Sequence, residues 1–353
     1  MKRQALFIGG TGTISAAITR LLATMPEWEL TLINRGNRND TLPEGVHVIQ
    51  ADIHQNDLAE RLKGRHWDVV ADFIAFTPDD VERDFRLFNG LTEQYFFISS
   101  ASVYRKLSVD NPITESTPIE TSRSAYAHEK AACEDALRRH YQVDGFPITI
   151  IRPTLTYDER KAPVAVRGNK GNWMVMKRMM EGKPVIIPGD GSSLWTLTHT
   201  SDMARGFVGL MGNSRAIGEA FHITSDEALT WNEIYGGLAR ALGVELRACH
   251  VPSDLLALGD PFGLEANLLG DKAWSALFDN TKLRRAVPDY QPHVRYDEGI
   301  RDTVAYILAH PECQPDEPEF DTWCDRVVAI MDGIRGPLKE AAEASRLEIG
   351  GKK

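Results

Sequence analysis

Three side chains in the first half of the sequence have the types and spacing needed to move a proton on and off a hydroxyl group. Tyr126 and Lys130 stand four positions apart in a segment typical of a helix, so both side chains share one helix face. The lysine ammonium favours the phenolate form of Tyr126, and a phenolate is a base. Ser100 closes a strand-like run further upstream and could hydrogen-bond the reacting oxygen. These residues predict acid–base catalysis on an alcohol.

The same Tyr-x-x-x-Lys spacing recurs at Tyr157 and Lys161, so spacing alone does not select the base. Position separates the two pairs. Tyr157 follows the sixth strand-like run in a segment typical of a loop, and no serine-bearing strand end lies a suitable distance upstream. We therefore expect Tyr126, and not Tyr157, to carry the chemistry.

A glycine-rich segment, FIGGTGTIS, runs from Phe7 to Ser15, directly after the first strand-like run and at the start of the first helical one. Glycines there let the backbone turn sharply and approach a pyrophosphate at the positive end of a helix. Ser15 replaces the last glycine of the pattern and is small enough for close packing. A glycine-rich turn without a ligand is the alternative interpretation. The expected dinucleotide contacts here are Gly9, Gly10, Thr11, Gly12, Thr13 and Ile14.

The end of the second strand-like run indicates which dinucleotide is preferred. An acid at this position binds the two ribose hydroxyls of NAD, whereas an arginine suits the 2′-phosphate of NADP. Here the run ends in Asn34 and Arg35, with Arg38 close behind, so NADP is favoured over NAD. The alternative is an exposed Arg35 with a loose preference. After the third run, Asp52 and Ile53 are expected at the adenine.

Short strand-like runs alternate with amphipathic helical segments through the first half of the chain. This alternation predicts an α/β fold with a doubly wound parallel sheet, the Rossmann arrangement. The expected strands are 5–8, 30–33, 46–49, 69–73, 96–99 and 148–151, and the expected helices are 15–24, 57–63, 79–88 and 125–141. The expected domains are a dinucleotide-binding domain mainly over 1–152, a smaller intertwined substrate lobe mainly over 153–310, and a C-terminal helical extension over 311–353.

Composition argues against several classes of partner. The formal net charge of −10 at pH 7 disfavours nucleic acid, which requires a basic surface. No apolar stretch approaches the length of a membrane span, so we expect no membrane and a cytoplasmic location. The four cysteines form no C-x-x-C pair, and no metal site is expected.

In order, the glycine-rich turn, Ser100, Tyr126 and Lys130 resemble the extended short-chain dehydrogenase/reductase family, which includes NAD-dependent epimerases and dehydratases. The likeness continues through IRP, IPGDG, THTSD and DNTK further along the chain. It implies a nicotinamide dinucleotide across the first domain, also contacted by Tyr126 and Lys130. It further implies a small sugar-like substrate in the second lobe and a homodimer formed through helices 79–88 and 125–141.

Two departures from the family limit the reaction. Its 4,6-dehydratases carry an Asp-Glu pair after the catalytic hydroxyl residue, whereas this chain has Ala101 and Ser102. Its nucleotide-sugar epimerases place an arginine on the diphosphate, about where Trp195 stands here, and tryptophan cannot pair with phosphate. The expected substrate contacts are Ser102, Lys170, Trp173, Trp195 and Lys272. His199 is interpreted as a packing or hydrogen-bonding residue, and Asp202 as an acid that caps a helix.

The leading functional hypothesis is an NAD(P)-dependent epimerase that oxidises a sugar hydroxyl and reduces it again from the other face. The alternative is an NADP-dependent dehydrogenase or reductase of a small hydroxyl or carbonyl substrate that releases its cofactor. A third hypothesis is a non-catalytic protein that senses dinucleotide or associates with RNA. Such proteins typically lose the tyrosine or the lysine, and this chain keeps both.

Overall fold

The computed structural model describes residues 2–36, 42–55, 57–106, 110–121 and 124–350. The strands are β1 (Arg3–Ile8), β2 (Trp28–Asn34), β3 (His47–Gln50), β4 (Val69–Asp72), β5 (Tyr95–Ile98), β6 (Ile148–Ile151), β7 (Leu155–Tyr157), β8 (Val185–Pro188), β9 (Leu194–Trp195), β10 (Leu197–His199), β11 (Ala220–Phe221), β12 (Leu229–Thr230) and β13 (Ala248–Val251). The α-helices are α1 (Thr13–Ala23), α2 (Leu58–Leu62), α3 (Pro78–Phe88), α4 (Ala125–Asp144), α5 (Trp173–Met180), α6 (Thr200–Leu210), α7 (Trp231–Leu242), α8 (Ser253–Leu258), α9 (Glu265–Asn267), α10 (Thr281–Ala286), α11 (Tyr296–Ala309) and α12 (Pro318–Gly350).

Seven of these strands form one parallel sheet in the order β11-β6-β5-β4-β1-β2-β3. The doubly wound sheet predicted from the sequence is therefore confirmed. The winding direction changes between β1 and β4. In open sheets of this kind, ligands bind beyond the carboxyl ends of the strands at such a change. The glycine-rich turn follows β1 at this point.

The central strands are largely apolar because helices cover both faces of the sheet. The four residues of β5, YFFI, are all buried. On one face, Phe96 packs against Phe207 of α6, with ring centroids 4.6 Å apart. On the other, Phe97 joins a buried cluster with residues of α3 and α4. Two packed layers thus hold the ends of β1, β4 and β5 in place.

Helices α3 and α4 pack against each other. Phe85 of α3 stacks on the His140 ring of α4, with centroids 3.6 Å apart, and that ring lies within 3.1 Å of Glu82 and 2.8 Å of Asp144. These are the helices through which a homodimer was expected. The dimer stays a prediction.

The structure corrects the expected surroundings of Tyr157. This residue ends strand β7, which pairs in parallel with β10, rather than lying in a loop. Its side chain is buried, and its ring packs edge-on against His199 at 5.1 Å. A three-residue strand outside the main sheet is too short to show a periodic pattern, so the sequence carried little signal for it.

Asp202 lies in the first turn of α6, as expected, but capping is not its main contact. The buried carboxylate accepts hydrogen bonds from the backbone N–H groups of His293 and Val294, at 3.0 and 2.9 Å. Burial raises the pKa of this carboxyl above its ordinary value. Asp202 therefore fixes a distant loop onto the start of α6.

The chain forms two compact units, and it passes between them several times. The first comprises Met1–Asp158, Leu194–Leu229 and Trp274–Gly299, and the second Glu159–Ser193, Thr230–Ala273 and Ile300–Lys353. Within the second unit, the buried Arg178 of α5 pairs with Asp321 and Asp325 of α12. In the described part of the chain, no helix is long and apolar enough to cross a bilayer.

Candidate active site

A serine closes the glycine-rich turn at the start of α1. Ser15 Oγ accepts a hydrogen bond from Gly12 N at 2.8 Å and donates one to Gly9 O at 2.7 Å. Gly9 has a φ of +79°, and a Cβ built on it would lie 2.5 Å from Cγ2 of Ile74. Glycine is therefore required at position 9 by both conformation and space. Ser15 stands at the position of the last glycine of the pattern, and its hydroxyl joins the two ends of the turn, Gly9 and Gly12, through hydrogen bonds.

A cavity of about 500 Å³ opens over this turn. It lies at the carboxyl ends of β1 and β2 and is lined by Ile8, Gly9, Thr11, Gly12, Ile33, Asn34, Arg35, Ala51, Asp52, Ile53, His54 and Ile74. Seven of the expected cofactor residues are among these: Gly9, Thr11, Gly12, Asn34, Arg35, Asp52 and Ile53. Gly10, Thr13, Ile14, Tyr126 and Lys130 are not part of this lining, and Arg38 falls outside the described residues.

Asn34, which lines the cavity, has a buried donor without a partner among the described residues. Asn34 Oδ1 accepts from Gly36 N at 2.9 Å, whereas Asn34 Nδ2 is buried and makes no hydrogen bond in the described structure. A buried N–H group without an acceptor costs about 1–3 kcal/mol. Asp52 Oδ1 meanwhile accepts from His54 N at 3.0 Å and orders the turn after β3. The Asn34 side chain therefore has hydrogen-bonding capacity that the described residues do not use.

Ser100 lies two residues after the end of β5 and caps a short 3-10 helix, Ala101–Val103. Its Oγ accepts from Ser102 N at 3.1 Å and from Ser102 Oγ at 2.8 Å. A hydroxyl oxygen accepts two hydrogen bonds and donates one. Because Ser102 supplies both donors, the hydrogen of Ser100 remains available for a further acceptor. Ser102 thereby orients Ser100.

Tyr126 and Lys130 occupy successive turns of α4, and the structure places them close together. The helix is capped by Ser124, whose Oγ accepts from Ala127 N at 3.2 Å. The Lys130 Nζ lies 5.9 Å from the centroid of the Tyr126 ring. Tyr126 is 47% exposed and Lys130 only 2%, so the phenol faces outward above a buried ammonium.

Backbone carbonyls hold that ammonium. Lys130 Nζ donates to Ala75 O at 2.6 Å and to Ile98 O at 2.8 Å, and it lies 4.3 Å from the centroid of the Phe76 ring. Burial lowers the pKa of Lys130 to about 8, which still leaves most of it protonated at pH 7. The carbonyl of Ile98 precedes Ser100 by two residues, so one contact of Lys130 is with the strand that carries the serine.

A buried ion pair behind Ser100 was not anticipated from the sequence. Glu134, one helical turn beyond Lys130, accepts from Arg152 Nε at 2.9 Å and also from Arg152 Nη2. Ser99 Oγ donates to the same carboxylate at 2.6 Å. Glu134 is fully buried and Arg152 is 2% exposed. This cluster ties α4 to the ends of β5 and β6.

The expected substrate residues divide between the two units. Ser102 and Trp195 lie in the first unit, although the sequence-based division put Trp195 in the second lobe; its side chain is buried. Within the second unit, Trp173 begins α5, and Lys170 Nζ donates to Asp316 O at 2.9 Å. Lys272 ends a π-helical turn, Leu268–Lys272, and its carbonyl accepts from Ser193 and Trp231. The role of these side chains in substrate binding stays a prediction.

Comparison with known proteins gives relatives of several activities. The chain is 26% identical to 2′-dehydrokanamycin reductase of Streptomyces kanamyceticus over 82% of its length and 80% of that protein's. It is 26% identical to the chloroplast stem-loop binding protein of 41 kDa b of Arabidopsis thaliana, covering 69% of this chain and 64% of that one. UDP-glucuronic acid 4-epimerase of Bacillus cereus, solved in complex with NAD, shares the fold with a TM-score of 0.68 at 20% identity, over 86% of this chain and 96% of that chain.

A family model described as the NAD dependent epimerase/dehydratase family matches residues 5–224. The match spans well over half of the sequence and includes the glycine-rich turn, Ser100, Tyr126 and Lys130. This agrees with the resemblance drawn from those motifs. The chain belongs to the NAD dependent epimerase/dehydratase family.

Proposed function

We propose that this chain is an epimerase-type enzyme that binds a nicotinamide dinucleotide and oxidises and re-reduces a hydroxyl of a sugar or sugar-like substrate. The observation that carries the proposal is the exposed phenol of Tyr126 above the buried, carbonyl-bound ammonium of Lys130. An ammonium fixed next to a tyrosine is suited to stabilising a phenolate.

The residues around the cavity fit a dinucleotide. The turn from Gly9 to Gly12 opens onto the N-terminus of α1, where a pyrophosphate finds backbone N–H groups and the positive end of the helix dipole. Asn34 Nδ2 offers an unused buried donor near the expected ribose. Asp52 would accept from the adenine amine. When bound, the dinucleotide supplies the acceptor and donor of hydride.

The side chains of α4 and β5 account for the proton. The Tyr126 phenolate takes the proton of the substrate hydroxyl as its carbon is oxidised, and returns it when the carbonyl is reduced. Lys130 stabilises the phenolate without leaving its two carbonyls, because an ammonium has three donors and only two are used there. The free hydrogen of Ser100 is donated to the same substrate oxygen, which bears negative charge during the transfer.

A reductase that releases its cofactor is the second candidate. The similarity to 2′-dehydrokanamycin reductase over most of both chains favours it. The same tyrosine, lysine and serine serve either reaction, and the two differ in whether the dinucleotide is consumed. The acidic net charge of −10 favours a small substrate over a nucleic acid in both cases.

The experiment that tests the proposal is a screen of free sugars, nucleotide sugars and polyols, followed by nicotinamide absorbance and by proton NMR of the carbinol centre. For an epimerase we expect inversion at one carbon with no net change in nicotinamide, and dinucleotide that survives gel filtration. Stoichiometric consumption of reduced dinucleotide would select the reductase. Failure of the protein, once freed of any copurified dinucleotide, to bind a nicotinamide dinucleotide in calorimetric titration would contradict both.

The screen also tests the substrate's size. Trp195 stands where related epimerases are expected to place a diphosphate-binding arginine, and it offers no cation. Binding energy that the site never gains cannot favour the nucleotide derivative. We therefore expect a free sugar to rival its nucleotide form in kcat/KM. A preference of about a hundredfold for the nucleotide sugar would show that another residue holds the diphosphate.

Cofactor choice is expected to follow Arg35. We propose that NADP binds more tightly than NAD, because Arg35 lines the cavity and no acid occupies the end of β2. Arg35→Asp should weaken NADP binding about tenfold to a hundredfold, the worth of a charge-assisted hydrogen bond, and so reverse the order. Calorimetric titration with both dinucleotides measures this.

Arg61→Asp is the matched control for that substitution. It makes the same change of charge on α2, where the guanidinium donates to Gln50 O and lies outside the cavity lining. The control should leave the NADP-to-NAD ratio unaltered. Equal affinities for both dinucleotides in the unmodified protein would contradict the assignment of Arg35.

A further inference from the structure

Two carboxylates bind four consecutive backbone N–H groups in the segment between β4 and α3. The N–H groups are those of residues 74–77. Asp72 Oδ1 accepts the first two, at 2.6 and 2.9 Å, and Asp80 Oδ2 accepts the next two, at 2.9 and 3.0 Å. We call residues 73–77 the β4–α3 loop. With each of these N–H groups on a carboxylate, the loop has little freedom to change conformation.

One guanidinium joins the two carboxylates. Arg83 Nη2 lies 3.0 Å from Asp72 Oδ2, and Arg83 Nη1 lies 2.9 Å from Asp80 Oδ1. Arg83 also binds Asp84, whose side chain, like that of Asp72, is fully buried. Burial raises the pKa of Asp72, with a further contribution from Asp84, and Arg83 opposes this. The positions of both carboxylates that bind the loop, Asp72 and Asp80, therefore depend on the charge and geometry of Arg83.

The loop contacts the proposed catalytic pair directly. Ala75 O is one of the two acceptors of Lys130 Nζ, at 2.6 Å. The Phe76 ring lies 4.3 Å from that ammonium and 6.5 Å from the Tyr126 ring, centroid to centroid. Four groups favour the charged form of Lys130 and so oppose the effect of burial on its pKa: Cys133 and Glu134 of α4, and Asp72 and Asp80, whose carboxylates bind the loop.

We infer that Arg83 is a positioning residue: through Asp72 and Asp80 it sets the Ala75 carbonyl and the Phe76 ring, and so holds the Lys130 ammonium beside Tyr126. Arg83 does not touch the reacting atoms. The inference rests on the proposed function, because it gives Arg83 a role in the ionisation of the proposed base. A purely structural arginine would support the loop without affecting how Tyr126 titrates.

The test is an ultraviolet titration of the phenolate band in the dinucleotide-free protein, with the Tyr126→Phe trace subtracted to isolate Tyr126. In Arg83→Met we expect the midpoint of Tyr126 to rise by about one pH unit, a tenfold loss in its ionisation constant, because Lys130 is no longer held at the ring. Asp80→Ala should shift the midpoint in the same direction. That variant frees the N–H groups of residues 76 and 77 and leaves the Arg83–Asp84 pair, so it serves if Arg83→Met does not fold.

Tyr95→Phe is the matched control. The Tyr95 hydroxyl donates to Asp84 Oδ2 at 2.6 Å, so removing it perturbs the same buried cluster. Asp84, unlike Asp72 and Asp80, accepts none of the four hydrogen bonds from the loop. We expect lower stability and an unchanged Tyr126 midpoint. An unchanged midpoint in folded Arg83→Met or Asp80→Ala, or an equal shift in Tyr95→Phe, would overturn the inference alone. An ordinary Tyr126 midpoint in the unmodified protein, with full activity in Tyr126→Phe, would overturn the proposed function and the inference with it.

Discussion

Replacing Tyr126 with phenylalanine should lower kcat by about a hundredfold or more while leaving dinucleotide affinity nearly unchanged. The ring of Tyr126 is half exposed and lies near Phe76 and Lys130, and removing one oxygen keeps the ring in place, so we expect the packing of α4 to stay intact. What is lost is the group that exchanges a proton with the substrate. Steady-state kinetics with a substrate found by the screen, together with calorimetry for the dinucleotide, measures both effects.

Tyr157→Phe is the control for that substitution because Tyr157 has the same spacing to a lysine. The structure gives it a different setting, buried at the end of β7 between the rings of His199 and Tyr296. We expect little change in kcat. If Tyr157→Phe abolishes turnover and Tyr126→Phe does not, the base has been assigned to the wrong tyrosine.

The second large effect concerns stability. Arg152→Met should lower the free energy of unfolding by about 3–5 kcal/mol, because it leaves the carboxylate of Glu134 buried without its main partner. Among the described residues, Glu134 would keep a hydrogen bond from Ser99 Oγ and a weaker ion pair with Arg138, whose nearest nitrogen is 3.8 Å away. Chemical denaturation followed by circular dichroism measures the difference.

Two further variants show whether burial is the cause. The double variant Arg152→Met with Glu134→Gln should recover part of the loss, because no full charge then remains buried. Lys63→Met breaks the Lys63–Glu60 pair, whose side chains are 76% and 78% exposed, and should cost less than about 1 kcal/mol. If Arg152→Met lowers the free energy of unfolding no more than Lys63→Met does, the buried pair contributes no more to stability than an exposed one.

The sequence predicted well those features that depend on local pattern. Strand β6 occurs at the expected residues, and the glycine-rich turn lies between β1 and α1 as expected. Helix α4 extends three residues beyond its expected end, to Asp144, and stops at Gly145, which has a φ of +72°. That glycine was a readable end signal, since a helix commonly ends on a left-handed glycine.

The features that were missed depend on partners far apart in the chain. Lys130 was expected beside Tyr126, but the Ala75 carbonyl that anchors it lies 55 residues upstream. Asp202 is a second case, because its carboxylate oxygens accept hydrogen bonds from backbone N–H groups more than 90 positions away. No periodicity or spacing rule records such pairs, because the fold alone brings them together. For the ion pair of Glu134 and Arg152, the sequence offered only a weak signal, which was the acidic residue one helical turn after Lys130.

The division of the first unit into three stretches of chain has a consequence for biosynthesis. Its sheet is completed by β11, at residues 220–221, and the loop that Asp202 binds lies at residues 293–294. A ribosome therefore releases most of the sequence before the first unit can close. Until β11 has emerged, β6 has an open edge, the kind of exposed strand at which unfinished chains aggregate. Folding of this unit is thus set to finish late in translation, when its last stretch emerges.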